Sequence, residues 1–278
     1  MNNPACVVLE PTDLKVLSSI RGAVWFRITL TGLAGHSGQA GATRSALKMA
    51  IRVIEILEGY HARLLAASRG QGDLRASKEG GRDTGDARDY IELHSASSTS
   101  CESHASLLAL KMFDKFPNPM PLTVGRLHAG NWPASVPSEA CLEGVLGLLP
   151  NKTARQVMDE MTAAIAGEGG PEIAGNFKIH FSYRHDSSVC PVEHPLVAGL
   201  CAALAESGQA VSVNTVDAMT ASCDAWLYNN QLNIPTVVFG GGSLSVAHSA
   251  REHMPLSGLS TAATVIANLA IRHSCIGG

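Results

Sequence analysis

Near its end the chain carries a histidine in a setting that suits metal binding or proton transfer. The apolar run Thr236–Phe239 leads into Gly240, Gly241 and Gly242, and His248 follows among small residues. Buried strands have this composition, and glycines at the carboxyl end of a strand let the backbone approach a ligand closely. An imidazole just beyond such a turn predicts a metal ligand or a catalytic base. A structural loop histidine is the alternative when His248 is considered alone.

Two more residues with this potential stand earlier in the chain. Glu10 follows the short apolar run Val7–Leu9, which predicts a carboxylate at the end of a strand, where open α/β sheets hold their ligands. A solvated turn residue before Pro11 is the alternative for this acid. His36 lies in a loop of small residues that follows a strand with alternating apolar positions. All three side chains therefore follow predicted strand ends.

The elements that would position these residues alternate along the chain. From 22 to 185 the periodicity predicts strand, helix, insertion, strand, strand, helix and strand, which is the order of a ferredoxin-like unit. Residues 1–21 and 186–278 predict pieces of one layered α/β domain into which that unit is inserted. Residues 66–99 are polar, rich in glycine and without an apolar face, so they predict a disordered insertion.

Composition argues against several classes of protein and partner. The net charge of -3 gives no reason to expect nucleic acid or an anionic membrane as a partner. No apolar run approaches the roughly 18 residues that a spanning helix requires, and the first residues do not resemble a signal peptide. The 7 cysteines are scattered and include no C-x-x-C pair, which argues against a disulfide framework and a thiolate zinc site. We therefore expect a reducing, cytoplasmic setting.

Several short motifs occur in an order that resembles one family of enzymes. They are Leu9–Thr12, Gly32–Ser37, Cys223–Ala225, Ile234–Gly240 and Ala247–Ser249, with Glu252 just beyond. Together with the inserted unit they resemble the co-catalytic zinc hydrolases that include acetylornithine deacetylase, succinyl-diaminopimelate desuccinylase, aminoacylase and glutamate carboxypeptidase. The resemblance implies an α/β fold, with part of a layered metallopeptidase-type catalytic domain and an inserted ferredoxin-like (βαββαβ) dimerisation or lid domain.

The resemblance also implies roles for individual residues. Glu10 and His248 match terminal ligands of two different metal ions, and carboxylate and imidazole ligands suit zinc, cobalt or manganese. His36 matches a histidine that enters the active site of the partner subunit and stabilises the oxyanion, which implies a homodimer through the inserted unit. The expected substrate-binding residues are Gly240, Gly241 and Gly242, through their backbone amides, together with Asn131 and Glu252.

Other features of that family are missing from this sequence. The chain has no His-x-Asp pair and no Glu-Glu pair, which in the family supply further ligands and the general base. We therefore expect a truncated member with an incomplete metal site, from the metal-dependent amidohydrolases that deacylate N-acyl amino acids or related amides. The alternatives are a dipeptidase or carboxypeptidase of the same family, a non-catalytic dimerisation fragment, and a ligand-binding domain of ferredoxin-like type.

Overall fold

Two β-sheets organise the residues that this computed structural model describes, which are 4–38, 43–79 and 107–275. The strands are β1 (Cys6–Val8), β2 (Val16–Ile20), β3 (Gly22–Thr31), β4 (Gly35–His36), β5 (Leu122–Ala129), β6 (Ser135–Val136), β7 (Glu139–Leu148), β8 (Phe177–His185), β9 (Ser188–Val189), β10 (Val216–Met219) and β11 (Thr236–Val238). The helices are α1 (Ala46–Glu79), α2 (Ala154–Glu168), α3 (Gly170–Ala174), α4 (Pro195–Glu206) and α5 (Leu256–Cys275), with a π-helical turn at Leu227–Gln231. Within the described ranges, none of the helices is long and apolar enough to cross a membrane.

The chain divides into two units, each with its own sheet. The first unit contains the described residues 4–21, 107–115 and 187–275, and the second contains 22–38, 43–79 and 116–186. Residues 107–115 belong to the first unit, where the Ser19 hydroxyl donates to the carbonyl of Ala109 at 3.3 Å. The second unit is thus contributed by two stretches of sequence that interrupt the first.

The second unit is the ferredoxin-like unit that the sequence predicts. Its strands form an antiparallel sheet in the order β5-β7-β3-β8, and β3 pairs with β7 over its whole length. On β3, Val24, Ile28 and Leu30 are fully buried in the core that α1 and α2 share with the sheet, whereas Trp25 and Arg27 are exposed. The βαββαβ order and the antiparallel pairing confirm the predicted fold of this unit.

Local capping sets where the helices of this unit begin. The Thr153 hydroxyl accepts the Gln156 amide at 3.2 Å, and the Gln156 side chain accepts the Thr153 amide at 2.9 Å, so the predicted capping box of α2 is confirmed. The sequence predicts Thr43 as the N-cap of α1, but the helix begins at Ala46 and the Ser45 hydroxyl accepts the amide of Lys48 at 3.4 Å. The predicted cap is therefore two residues too early.

Helix α1 continues to Glu79, so the prediction of a disordered insertion is wrong for residues 66–79. Val53, Leu57 and Leu64 anchor the earlier turns in the core. Adding residues to a helix that is already nucleated is much easier than starting one, and most residues of 66–79 are ordinary helix formers. The rest of the predicted insertion, 80–99, lies outside the described residues.

The first unit is built on a mixed sheet in the order β1-β11-β2-β10, with β9 also paired to β2. Strands β1 and β11 are parallel, as are β2 and β10. Helices α4 and α5 pack against each other and share a core with the sheet. That core includes Val16, Leu200, Phe239 and Val265. The carboxyl ends of the neighbouring strands β1 and β11 therefore lie at the same edge of the sheet.

Two strands of the first unit differ from what the sequence predicts. Strand β2 is not visible in the periodicity of the sequence, because all five of its residues are buried and apolar and polar positions do not alternate. The sequence also predicts a strand over 210–216. This prediction is wrong for 210–215, since the hydroxyl of Thr215 accepts the amide of Ser212 at 2.9 Å in a turn and Val213 is 94% exposed. The strand β10 starts only at Val216.

Candidate active site

Glu10 and the glycines of the final loop are held at one edge of the first sheet. Strand β1 ends two residues before Glu10, and β11 ends two residues before Gly240. Parallel pairing aligns Val8 with Val238, and the amide of Phe239 donates to the carbonyl of Val8 at 3.0 Å. This register places the predicted carboxylate beside the glycine loop.

Three ionisable side chains interact electrostatically at this edge. Burial raises the pKa of the Glu10 carboxyl, the nearby carboxylate of Asp224 raises it further, and the imidazole of His248 acts in the opposite direction. The structure therefore brings together Glu10 and His248, which are 238 positions apart in sequence. The second negative charge beside Glu10 favours proton uptake by its carboxyl, and the imidazole opposes it.

Asp224 is a member of this cluster to which sequence reasoning assigned no role. It follows β10, a four-residue strand that lies beside β2. The motif Cys223–Ala225 belongs to the resemblance, but nothing in its composition indicates that its acid lies near Glu10. The only available signal was the position of the acid beyond the end of a strand.

The glycines after β11 are required by backbone packing. A side chain at Gly240 would place its Cβ 2.3 Å from the carbonyl oxygen of Glu10, and one at Gly241 would lie 2.2 Å from the carbonyl oxygen of Gly258. The amide of Gly240 already donates to the hydroxyl of Thr12 at 3.0 Å. Close packing thus accounts for these two glycines, and amide contacts from this loop to a substrate stay a prediction.

The backbone of His248 is held in the left-handed region by an acid four residues away. Its φ is 58°, a value that is uncommon for residues other than glycine. The Glu252 carboxylate accepts the amide of His248 at 2.7 Å. The side chain of Glu252 thus secures the turn that presents His248, and its contact with a substrate stays a prediction.

His36 and Asn131 belong to the second unit, whereas Glu10 and His248 belong to the first. His36 is exposed on β4, opposite Ser135 of β6, and its Nδ1 accepts the amide of Gly38 at 3.1 Å. Asn131 is exposed in the loop between β5 and β6. Their predicted roles toward oxyanion and substrate remain predictions.

The described residues do not fit the metal centre that the resemblance implies. Across 4–38, 43–79 and 107–275, no group of three or more His, Cys, Asp and Glu side chains could hold a metal ion. Hydrolytic zinc ordinarily has three protein ligands. Glu10 and His248 alone would therefore leave such a site incomplete.

The fold is shared with solved peptidases, and this chain spans a little more than half of their length. A tripeptidase from Staphylococcus aureus superposes with a TM-score of 0.61 and 14% identity, over 94% of this chain and 54% of its own. A dipeptidase from Saccharomyces cerevisiae superposes with a TM-score of 0.64 and 11% identity, over 97% of this chain and 58% of its own. An M20 family metallo-carboxypeptidase from Sulfolobus solfataricus superposes with a TM-score of 0.61 and 14% identity, over 95% of this chain and 61% of its own. At these identities the comparison shows the fold.

These neighbours confirm the predicted fold class, a peptidase-type α/β domain with an inserted dimerisation domain. The predicted resemblance is confirmed at the level of the family match, which is to the M20 peptidase dimerisation domain. No curated protein matches the chain by sequence. Residues 18–172, more than half of the sequence, match the M20 family described as a peptidase dimerisation domain. The chain therefore belongs to the M20 peptidase dimerisation domain family.

Proposed function

We propose that this chain acts in metal-dependent hydrolysis of amides, releasing the acyl group from N-acyl amino acids or related compounds. The observation that carries the proposal is the electrostatic cluster of Glu10, Asp224 and His248 at the carboxyl edge of the first sheet. Glu10 and His248 would each serve as a terminal ligand of a different ion, with zinc, cobalt or manganese as the metal.

The chain's own residues have defined tasks in this proposal. Glu252 holds the turn that presents His248, through the hydrogen bond to the His248 amide. His36 is exposed on β4, which leaves its ring available to stabilise an oxyanion in the active site of a partner subunit. Asn131 and the amides of Gly241 and Gly242 would contact the substrate. A complete centre needs ligands in addition to Glu10 and His248, from beyond the described residues.

The same proposal includes a homodimer formed through the second unit. Strand β5 lies at one end of its sheet, and a groove runs between this strand and α1. The groove is lined by apolar side chains such as Ile54 and Leu127, the latter 39% exposed. An edge strand with apolar neighbours is a template for pairing with a second copy.

Polar features of the groove also suit an interface. The Nε2 atom of His61 is buried without a hydrogen-bond partner among the described residues. The opposite edge strand, β8, carries exposed Lys178 and Arg184, and such charges discourage pairing.

Peptide hydrolysis is a close variant of this proposal, because the neighbours above include a tripeptidase, a dipeptidase and a carboxypeptidase. A dipeptidase or carboxypeptidase would use the same cluster on a peptide bond. We place either activity in a reducing, cytoplasmic setting, consistent with the free thiols at Cys6, Cys141, Cys190, Cys201 and Cys223.

A second candidate function is a non-catalytic chain that serves only to dimerise. The observation that favours it is that no metal-binding group of three side chains occurs within the described ranges. In that case Glu10 and His248 would have structural roles alone.

Hydrolysis assays on the purified chain distinguish the two candidates. We expect release of amino acids from N-acetyl amino acids in the presence of zinc, cobalt or manganese, and a loss of at least about a hundredfold in His248→Ala, because losing a ligand exceeds the 10- to 100-fold effect of disturbing its supports. His253→Ala is the matched control and keeps the wild-type rate. Dipeptides assayed in parallel separate the deacylase from the peptidase. No hydrolysis of either substrate class, or equal rates in both variants, would contradict the catalytic proposal.

A further inference from the structure

The second unit carries a cleft on the face of its sheet opposite α1 and α2. The cleft has a volume of about 410 Å³. The residues that line it include Trp25, Phe26, Arg27 and Gly144. Trp25 and Arg27 alternate along β3 with residues that are buried beneath the helices. The volume lies within the range of roughly 300–1,000 Å³ that is typical of sites for small ligands.

The charges that line the cleft are unbalanced. Among the described lining residues, two guanidinium groups, Arg27 and Arg126, share the single carboxylate of Glu143. Arg27 Nε donates to one oxygen of Glu143 at 2.6 Å, and Arg126 Nη1 donates to the other at 2.9 Å. The hydrogen bond from Arg27 is the main reason that the pKa of Glu143 lies below its usual range, so this acid stays ionised. One positive charge is therefore left without a partner in the group.

A flat apolar wall stands beside these charges. The ring of Trp25 is 54% exposed and is backed by Tyr183, with ring centroids 5.7 Å apart. Gly144 also lines the cleft, and it has to be a glycine because a Cβ there would lie 2.5 Å from the buried ring of Phe26. Gly125 also lines the cleft, and apart from its chain neighbours no atom lies within 4 Å of the position that its Cβ would occupy. The space beside Gly125 is thus open to a ligand.

We propose that this cleft binds a small organic monoanion that has a planar apolar group. The carboxylate of the ligand would pair with the guanidinium groups of Arg27 and Arg126, which are suited to planar anions. Its apolar group would lie against the ring of Trp25. This site belongs to the second unit, involves neither Glu10 nor His248, and does not depend on the proposed amide hydrolysis.

Calorimetric titration with 3-phenylpropanoate tests the proposal on the full chain. This probe has the carboxylate and the ring but no amide bond, so hydrolysis cannot affect the result. We expect saturable binding of 3-phenylpropanoate, at least tenfold weaker binding of neutral 3-phenylpropan-1-ol, and weaker binding of acetate, which lacks the ring. Equal affinity for the acid and the alcohol would overturn the proposed role of the guanidinium groups.

Variants of exposed residues then locate the site. Arg27→Gln should weaken binding of 3-phenylpropanoate at least tenfold, and Trp25→Leu should weaken it about threefold to tenfold. Arg184→Gln removes the same charge from β8 outside the cleft and should change the affinity less than twofold. Thermal melting of each variant checks that the fold is kept. The proposal fails if the wild type shows no saturable binding, or if Arg27→Gln and Arg184→Gln weaken binding equally.

Discussion

Asp217 is a charged residue inside the first unit whose partners explain why the sequence tolerates it there. Its side chain is only 4% exposed and accepts Lys15 Nζ at 2.8 Å and the Ala218 amide at 2.7 Å, while Lys115 pairs with the same carboxylate. Burial alone would raise the pKa of Asp217, but the hydrogen bonds from Lys115 and Lys15 outweigh it and hold the pKa below its usual range. The carboxylate thereby links β10 to the start of β2 and to residues 107–115.

Asp217→Asn is expected to lower the free energy of unfolding by about 2 kcal/mol at pH 7. Removing one partner of a buried ion pair costs about 3–5 kcal/mol of stability. The expected cost is smaller here because both lysines are partly exposed and solvent screens their charges. Since the folded pKa lies below the ordinary value of 3.8, the stabilisation is complete above about pH 4 and is lost as the pH falls through the folded pKa. Urea unfolding at pH 7 and pH 3 measures both effects.

The control for this prediction is Asp159→Asn. Asp159 is 61% exposed in its pair with Arg155, so its loss should change the free energy of unfolding by less than about 1 kcal/mol. An equal effect of the two substitutions at pH 7 would contradict the assignment of Asp217 as the structural charge. The same assignment would be contradicted if the difference in the free energy of unfolding between wild type and Asp217→Asn does not decrease from pH 7 to pH 3.

At the scale of single residues, the sequence indicates side chains that follow strand ends but not their neighbours in space. Glu10 and the loop of His248 follow strands that are recognisable in the sequence, so their positions after strand ends could be predicted. Their roles as metal ligands stay predictions. The surroundings of Asp224 and Asp217 could not be predicted from the sequence, because they depend on how β10 pairs with β2. The hydrogen bond from His248 to Glu252 also escapes prediction, since it depends on an unusual φ.

At the scale of elements, the free edge of β5 carries the prediction of dimerisation. Leu127→Lys introduces a charge on the exposed edge strand beside the α1 groove and should shift the monomer–dimer equilibrium toward monomer by at least about tenfold. Val213→Lys is the matched control, because Val213 is 94% exposed in the first unit. Sedimentation equilibrium should give the mass of two 29.1-kDa chains for the wild type and the control. A monomeric wild type, or equal dissociation of both variants, would refute this interface.

Elements with one buried face were predictable, and the others were not. Strand β3 alternates strictly after Val24, so its period of two is visible in the sequence. Strand β2 is buried on both faces, and its two serines make its composition resemble that of a loop. The last turns of α1 lack an apolar stripe, so periodicity could not indicate them even though the helix continues to Glu79.

At the scale of the whole molecule, two units alternate along the chain, and each candidate site belongs to one of them. The first unit holds the cluster of Glu10, Asp224 and His248, and the second holds the open-face cleft, the β5 edge and His36. The inserted order could be predicted because the strand and helix pattern of 22–185 is that of a complete ferredoxin-like unit. The sequence does not predict that residues 107–115 belong to the first unit, because this depends on tertiary contacts such as that of Ser19 with Ala109.

The zinc content of the purified chain tests most directly whether Glu10 and His248 belong to one metal-dependent site. After saturation with zinc and removal of loosely held metal, elemental analysis should find about one or two zinc ions per wild-type chain. Glu10→Gln and His248→Ala should each lose zinc, whereas His253→Ala should keep the wild-type content. Wild-type protein without zinc, or His248→Ala with undiminished zinc, would contradict the metal-dependent function proposed for this chain.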